Sequence, residues 1–262
     1  MKKCLCSLFL GLQVYGFDGD PWVIEPLKPD VKALYSYTFF SNVEGYNSNF
    51  KNQQLLLALD VAFPNQFQFS LELDQDASTF RNFYFRDAAI EIKKQFTDDV
   101  AEGDNFSIAT GARGIAQTVF GRLDPATLYP GGYHFLGFVS LGKEWSFAMD
   151  NFVRFWLLGG LGVATHASPW AEFSGYVLYR HHHHEFKFLA VSNISYGSQL
   201  TVDIDNFQGW GHTRYRYFNL GFIYGYEVIS DLYIKAGFVK RAVSQVMPKN
   251  YNYYTLLIEK VF

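Results

Sequence analysis

Four consecutive histidines, His181 to His184, are the densest set of potential metal ligands in the chain. Neutral imidazole binds Zn²⁺ or Ni²⁺. The run lies in a short turn between Arg180 and Glu185, with no carboxylate at a fixed spacing, so it offers no ordered coordination sphere and is read as structural. Ser192-Asn193 supplies a hydroxyl, which becomes a nucleophile only beside a base; His166 or His212 would have to provide one from elsewhere in the fold. Asp98-Asp99 is a paired carboxylate, but it falls in a turn. Gly159, Gly160 and Gly162 are followed by no Lys-Ser/Thr and no helix, so they form no phosphate cradle. Glycines in a strand more often mark curvature or a close backbone approach. No catalytic residue, metal site or cofactor is assigned, and the chain is read as a non-enzyme.

The elements that carry these residues have a period of two. From Gln66 to Asp74 polar and apolar residues alternate without error: Phe67, Phe69, Leu71 and Leu73 on one face, Gln68, Ser70, Glu72 and Asp74 on the other. Successive side chains of a strand point to opposite faces. Leu55, Leu57, Leu59, Val61 and Phe63 share a face just upstream, and Pro64-Asn65 reads as the hairpin turn between the two runs. Candidate strands lie near 31–41, 53–63, 66–75, 83–96, 105–118, 133–143, 152–165, 170–180, 185–197, 213–228, 231–242 and 252–262. That is about twelve, many of them long enough to cross a bilayer at a tilt. No segment shows a capped amphipathic helix. Short connections at Pro64-Asn65 and Ser230-Asp231 alternate with long ones at 44–52, 75–82, 119–132, 198–212 and 244–251. The turns 97–104 and 144–151 are longer than this alternation expects.

Composition agrees with strands that are greasy on one side only. Charged residues are 18 % of the 262, aromatic residues 19 %, and the mean hydropathy is −0.05. The net charge of −3 gives no reason to expect a nucleic-acid partner. Lys2 and Lys3, the apolar run 4–15 and Gly16 read as a secretory signal over 1–16, followed by a periplasmic segment over 17–30. Loss of the signal removes both cysteines, Cys4 and Cys6, and takes the net charge to −5. Disulfides and thiolate chemistry are then excluded. The longest uncharged stretch, 155–171, is short and broken by Gly159, Gly160, Gly162 and Pro169, so no helical span is expected.

The chain ends Tyr254, Thr255, Leu256, Leu257, Ile258, Glu259, Lys260, Val261, Phe262. A terminal Phe closing an alternating strand resembles the C-terminal signature of Gram-negative outer-membrane β-barrel proteins. In that pattern Tyr254, Leu256, Ile258 and Phe262 face lipid, and Lys260 departs from it. Pro21-Trp22 and the stretch from Arg154 to Trp170 are also similar to barrels of this kind. The resemblance implies an all-β, transmembrane, antiparallel up-and-down barrel of about twelve strands over 31–262 in a bacterial outer membrane. Its implied partners are outer-membrane lipid, lipopolysaccharide and, through the strand ending at Phe262, the barrel-assembly machinery. Ser192-Asn193 also resembles the strand-borne His-x-Ser-Asn of outer-membrane lipid hydrolases, but Ala190 stands in the histidine's place.

A closed sheet satisfies every backbone group in hydrocarbon, and rings gather at the two interfaces. Phe39, Tyr133, Tyr215 and Tyr217 are expected in the outer girdle; Phe63, Phe67, Tyr179, Phe186 and Phe262 in the inner. The opposite face lines the lumen with both signs of charge. Asp87, Glu91, Lys93, Arg113, Arg154 and Glu172 are the candidate lining residues of a narrow channel for small solutes. The alternatives are a non-conducting surface protein that binds a partner through its long outer loops, and a lipid-modifying enzyme. Arg214 and Arg216, between Tyr215 and Tyr217, are candidates for lipopolysaccharide phosphates at the outer rim.

Overall fold

The computed structural model describes residues 19–41, 49–101, 103–127, 131–148 and 150–262. The signal read over 1–16 and most of the loop 44–52 lie outside the described residues. Twelve strands follow one another: β1 (Asp30–Ser41), β2 (Phe50–Phe63), β3 (Phe67–Ser78), β4 (Tyr84–Thr97), β5 (Ser107–Gln117), β6 (Tyr133–Ala148), β7 (Asn151–Ala164), β8 (Trp170–His181), β9 (His184–Ser195), β10 (Arg216–Ile229), β11 (Leu232–Gln245) and β12 (Asn250–Val261). Each pairs antiparallel with its neighbours in the chain. The first and last pair from Asp30↔Val261 to Ser41↔Asn250, so the sheet closes into an up-and-down barrel.

The period-two faces hold. On β3, Gln68, Ser70, Glu72 and Asp74 are buried inside, while Phe67 and Leu73 stand 43 % exposed on the outer surface. On β12, Tyr254, Leu256, Ile258 and the terminal Phe262 face outward, as the terminal-strand pattern implies. Lys260 lies between them and donates from Nζ to the Ser230 carbonyl (3.0 Å), the behaviour of a long cation whose head reaches the interface. Short turns at 64–66, 182–183 and 230–231, and the close pairing of Ala148 with Asn151, mark one end, which also carries the start of β1 and the end of β12. In outer-membrane barrels the short turns are periplasmic, and this end is called inner below.

Four expectations are corrected. β6 runs on to Ala148, with Ala148↔Asn151 as its last pair, so most of the long turn expected at 144–151 is strand. A four-residue helix, α1 (Val119–Arg122), capped by Thr118 Oγ1 on Gly121 N (3.2 Å), sits in an outer loop where no helix is expected. Tyr215 and Tyr217, expected in the outer girdle, are each 2 % exposed and point into the lumen, while Arg216 and Phe218 face outward. Arg-Tyr-Arg-Tyr reads equally well in either phase, and the apolar residues Phe218, Leu220 and Phe222 fix it. Finally, Arg86 is an extra residue in β4: the pairing passes from Asp74↔Asp87 to Gln75↔Phe85. This β-bulge puts both Arg86 and Asp87 inside, which strict alternation forbids.

Candidate functional site

The candidate site is the lumen, and all six expected lining residues face it: Asp87, Glu91, Lys93, Arg113, Arg154 and Glu172 are each at most 4 % exposed. They do not form one set. Asp87 shares the bulge arginine, whose guanidinium reaches Asp74 (2.6 Å), Asp76 (3.1 Å) and Asp87 (2.6 Å). Arg113 lies between Glu72 (2.6 Å) and Glu91 (3.8 Å). Glu172 forms no ion pair among the described residues; Asn193 Nδ2 donates to its Oε2 at 3.4 Å.

At the inner end a belt of ion pairs joins seven strands. Lys32 holds Asp30 (3.0 Å), Asp60 (2.5 Å) and Glu259 (3.8 Å). Lys235 holds Glu259 (2.7 Å) and Glu185 (2.9 Å). Arg180 continues the chain to Glu185 (3.3 Å) and Glu227 (2.6 Å). Every member sits on a strand, so this half of the mouth, from β8 through β12 to β1 and β2, is closed by the wall itself.

The other half of the inner mouth is closed by a peptide. The segment expected as a periplasmic stretch over 17–30 lies inside the barrel from Gly19 to Ile24, where Asp20, Trp22 and Ile24 are 3 %, 5 % and 2 % exposed. Lys93 Nζ donates to Asp20 O (3.1 Å), Asp20 Oδ1 (2.9 Å) and Trp22 O (2.7 Å). Val23 N donates to Gln95 Oε1 (2.9 Å), and Ile24 N to Gln68 Oε1 (3.3 Å). A buried backbone must find such partners, and here wall side chains supply them in place of a strand ladder. The Trp22 indole N–H donates to Asp99 Oδ1 (3.0 Å). Its ring meets Trp156 edge-on (6.0 Å between centroids) and lies 4.7 Å from the Arg154 guanidinium. Gly142 makes the room: a Cβ there would stand 2.6 Å from Pro21 Cγ and 2.7 Å from Trp22 Cη2. Lys93 and Arg154, expected as pore lining, thus hold the segment in place. The segment leaves the lumen at an exposed turn, Glu25–Lys28, where Leu27 N donates to the Ala62 carbonyl (3.1 Å) and Leu27 has φ +64°.

Between the mouths the lumen is a mixed core. Leu34, Leu56, Leu189, Ile223 and Leu257 are buried in it, and Trp156 stacks on Tyr176 at 4.8 Å under the Lys187 ammonium. The long outer loops, expected as free recognition surface, turn partly inward. Asp124 accepts from Ser78 Oγ (2.5 Å) and Tyr84 OH (3.0 Å), and the fully buried Trp210 donates to the Pro125 carbonyl (3.3 Å).

The remaining residues singled out by type resolve simply. His182 and His183 form the turn between β8 and β9, His183 lies 3.5 Å from Glu227, and no metal-holding group of His, Cys, Asp and Glu occurs among the described residues. Ser192 lies beside the inward-facing Asn193, and neither His166 nor His212 hydrogen-bonds it among the described residues. Asp98 caps its own turn by accepting from Val100 N and Ala101 N, while Asp99 anchors Trp22. Gly162 lets the Trp170 ring lie across its backbone. Arg214 and Arg216 are exposed beside the outer ends of β9 and β10.

Comparison with known proteins adds the fold's company. No family model matches the sequence, and no curated protein matches it. Solved structures do match. The fold superposes on an outer membrane channel from Pseudomonas putida F1 with a TM-score of 0.60 at 10 % identity, covering 93 % of this chain and 98 % of that one. It superposes on the NanC porin at 0.56 and 12 % identity, covering 88 % and 98 %. For the KdgM porin in complex with a disordered oligogalacturonate the values are 0.53 and 8 %, covering 89 % and 99 %. The chain therefore has the closed, antiparallel β-barrel fold of these structures, here with twelve strands.

Proposed function

We propose that the protein is an outer-membrane channel for the passive passage of small solutes, held shut in this conformation. The observation that carries the reading is the polar, charged inner wall, which continues from Asp30 and Glu259 at the inner mouth to Asp76 and Arg241 near the outer one. A barrel that served only as an anchor needs no such wall, and hydrocarbon on the other face gives the strands their outward Phe, Leu and Ile. The likeness to porins and a channel is consistent with it and favours no enzymatic chemistry.

The test is conductance of the refolded full chain in planar bilayers. Discrete openings are expected; a bilayer that stays sealed while the protein shows the heat-modifiable gel mobility of a folded barrel refutes the reading. The packed mid-lumen favours the second reading, a non-conducting surface protein, which the sealed bilayer would select. At the outer rim Arg214 and Arg216 bind lipopolysaccharide phosphates. Replacing both with Gln is expected to weaken association with lipopolysaccharide, and unchanged association removes that role.

A further inference from the structure

Several cations of the lumen share a feature that ordinary pairing does not require: Lys32, Lys235, Arg180, Arg113 and Arg86 are each divided among two or three carboxylates. The inner belt ties Lys32, Lys235 and Arg180 to five carboxylates, those of Asp30, Asp60, Glu185, Glu227 and Glu259. Arg113 stands between two, and Arg86 among three. Each of these connected clusters has more acids than bases, and they succeed one another from the inner mouth to the outer. Outside these clusters Lys93 pairs with Asp20 (2.9 Å) and Arg154 with Glu144 (2.6 Å), one to one; Lys187 also lies 4.8 Å from Trp156 and Tyr176, and Arg241 4.4 Å from Tyr217 and 4.5 Å from Tyr251.

Glu172 is a second, independent observation. It is 2 % exposed, with no ion pair among the described residues and with Oε1 buried without a hydrogen bond. Arg113 acts on it only from beyond ion-pair distance; a buried carboxylate without a close cation is expensive, and it becomes tolerable when a cation joins it. Rings of carboxylates are also how cation channels choose their ion.

We infer that the lumen passes cations in preference to anions, and that Glu172 is the site that holds the passing cation between the acidic clusters. The inference rests on the channel reading and names its solute class: small inorganic cations and small cationic organic solutes.

The experiment is the zero-current potential of the full chain in planar bilayers across a KCl gradient, repeated with Trp22→Ala, Glu172→Gln and Glu172→Asp. The wild type and Trp22→Ala are expected to reverse at the sign that marks K⁺ as the more permeant ion. Glu172→Gln should lower the K⁺/Cl⁻ permeability ratio by about fivefold, the weight of one charge at close range in water. Glu172→Asp, which keeps the charge, should restore most of it. Heat-modifiable mobility checks that each variant folds. A conducting protein that prefers Cl⁻, or none, overturns the inference while leaving the channel reading intact. Cation preference that survives Glu172→Gln unchanged overturns the role of Glu172. A bilayer sealed for wild type and Trp22→Ala alike refutes the channel and the selectivity with it.

Discussion

The two halves of the inner mouth are closed by different materials. From β8 round to β2 the closure is the wall's own side chains, Arg180, Glu185, Lys235, Glu259, Lys32 and Asp60, linked pair by pair. From β3 to β7 it is a separate peptide, Gly19 to Ile24, held by Lys93, Gln95, Gln68 and Asp99. The belt cannot leave without breaking the barrel. The peptide shares no strand ladder with the wall, so its release at the turn Glu25–Lys28 would break the Asp20–Lys93 ion pair and the Trp22 packing but no strand pairing. On the proposed channel reading the first half is expected to set stability and the second access, and substitutions in the two halves should separate those properties.

Lys235→Ala is expected to have the largest effect. It leaves Glu185 and Glu259 without their shared cation inside the wall, and removing one partner of a buried ion pair costs about 3–5 kcal/mol. A lower urea midpoint for unfolding from lipid vesicles is the readout; an unchanged midpoint would mean that the belt contributes nothing. Trp22→Ala acts on the other half. Truncating a packed Trp costs about 3–5 kcal/mol in a core, here lost from the seated peptide alone. Proteolysis or amide exchange in residues 19–26 should rise steeply while the unfolding midpoint of the barrel stays near wild type. If both fall together, the peptide is part of the barrel's cooperative core and the contrast between the halves fails.

Gly142→Val asks the same question from the wall side. Its side chain would occupy the place of Pro21 Cγ and Trp22 Cη2, and overpacking costs typically ~1–3 kcal/mol. Faster amide exchange in residues 19–26 is expected, and exchange as slow as in the wild type would show that the seat is looser than these distances allow. The smallest effect belongs to Leu27→Gly. A left-handed backbone costs a residue with a Cβ roughly 1–2 kcal/mol, so glycine should relieve the turn and slow proteolysis of the peptide slightly. Faster proteolysis would mean that the chain entropy glycine adds outweighs the relief.

Much of this was legible in the sequence because a strand's two faces are written in alternate residues. Gln66 to Asp74 shows outer face and lumen face at once, and Tyr254 to Phe262 marks the strand that closes the sheet. The inward placement of Glu91, Arg113 and Glu172 followed from the same alternation. What escaped has a common physical cause: it depends on contacts or phase shifts that local pattern does not encode. Arg86 enters the lumen only because one extra residue breaks the phase of β4. Tyr215 and Tyr217 sit in a run polar on both faces. The inserted peptide has no period of its own, and its anchor pairs Trp22 with a residue 77 positions away. Asp98-Asp99 was conspicuous as a carboxylate pair, yet nothing near it in the chain names Trp22 as the partner.

The most direct test of the central claim, a channel whose inner mouth is shut by a displaceable peptide, is single-channel recording of the full chain beside Trp22→Ala in the same planar bilayers. The account predicts rare, brief openings for the wild type and a markedly higher open probability for the variant, at matched heat-modifiable mobility. Two equally sealed bilayers, or indistinguishable open probabilities, would contradict it.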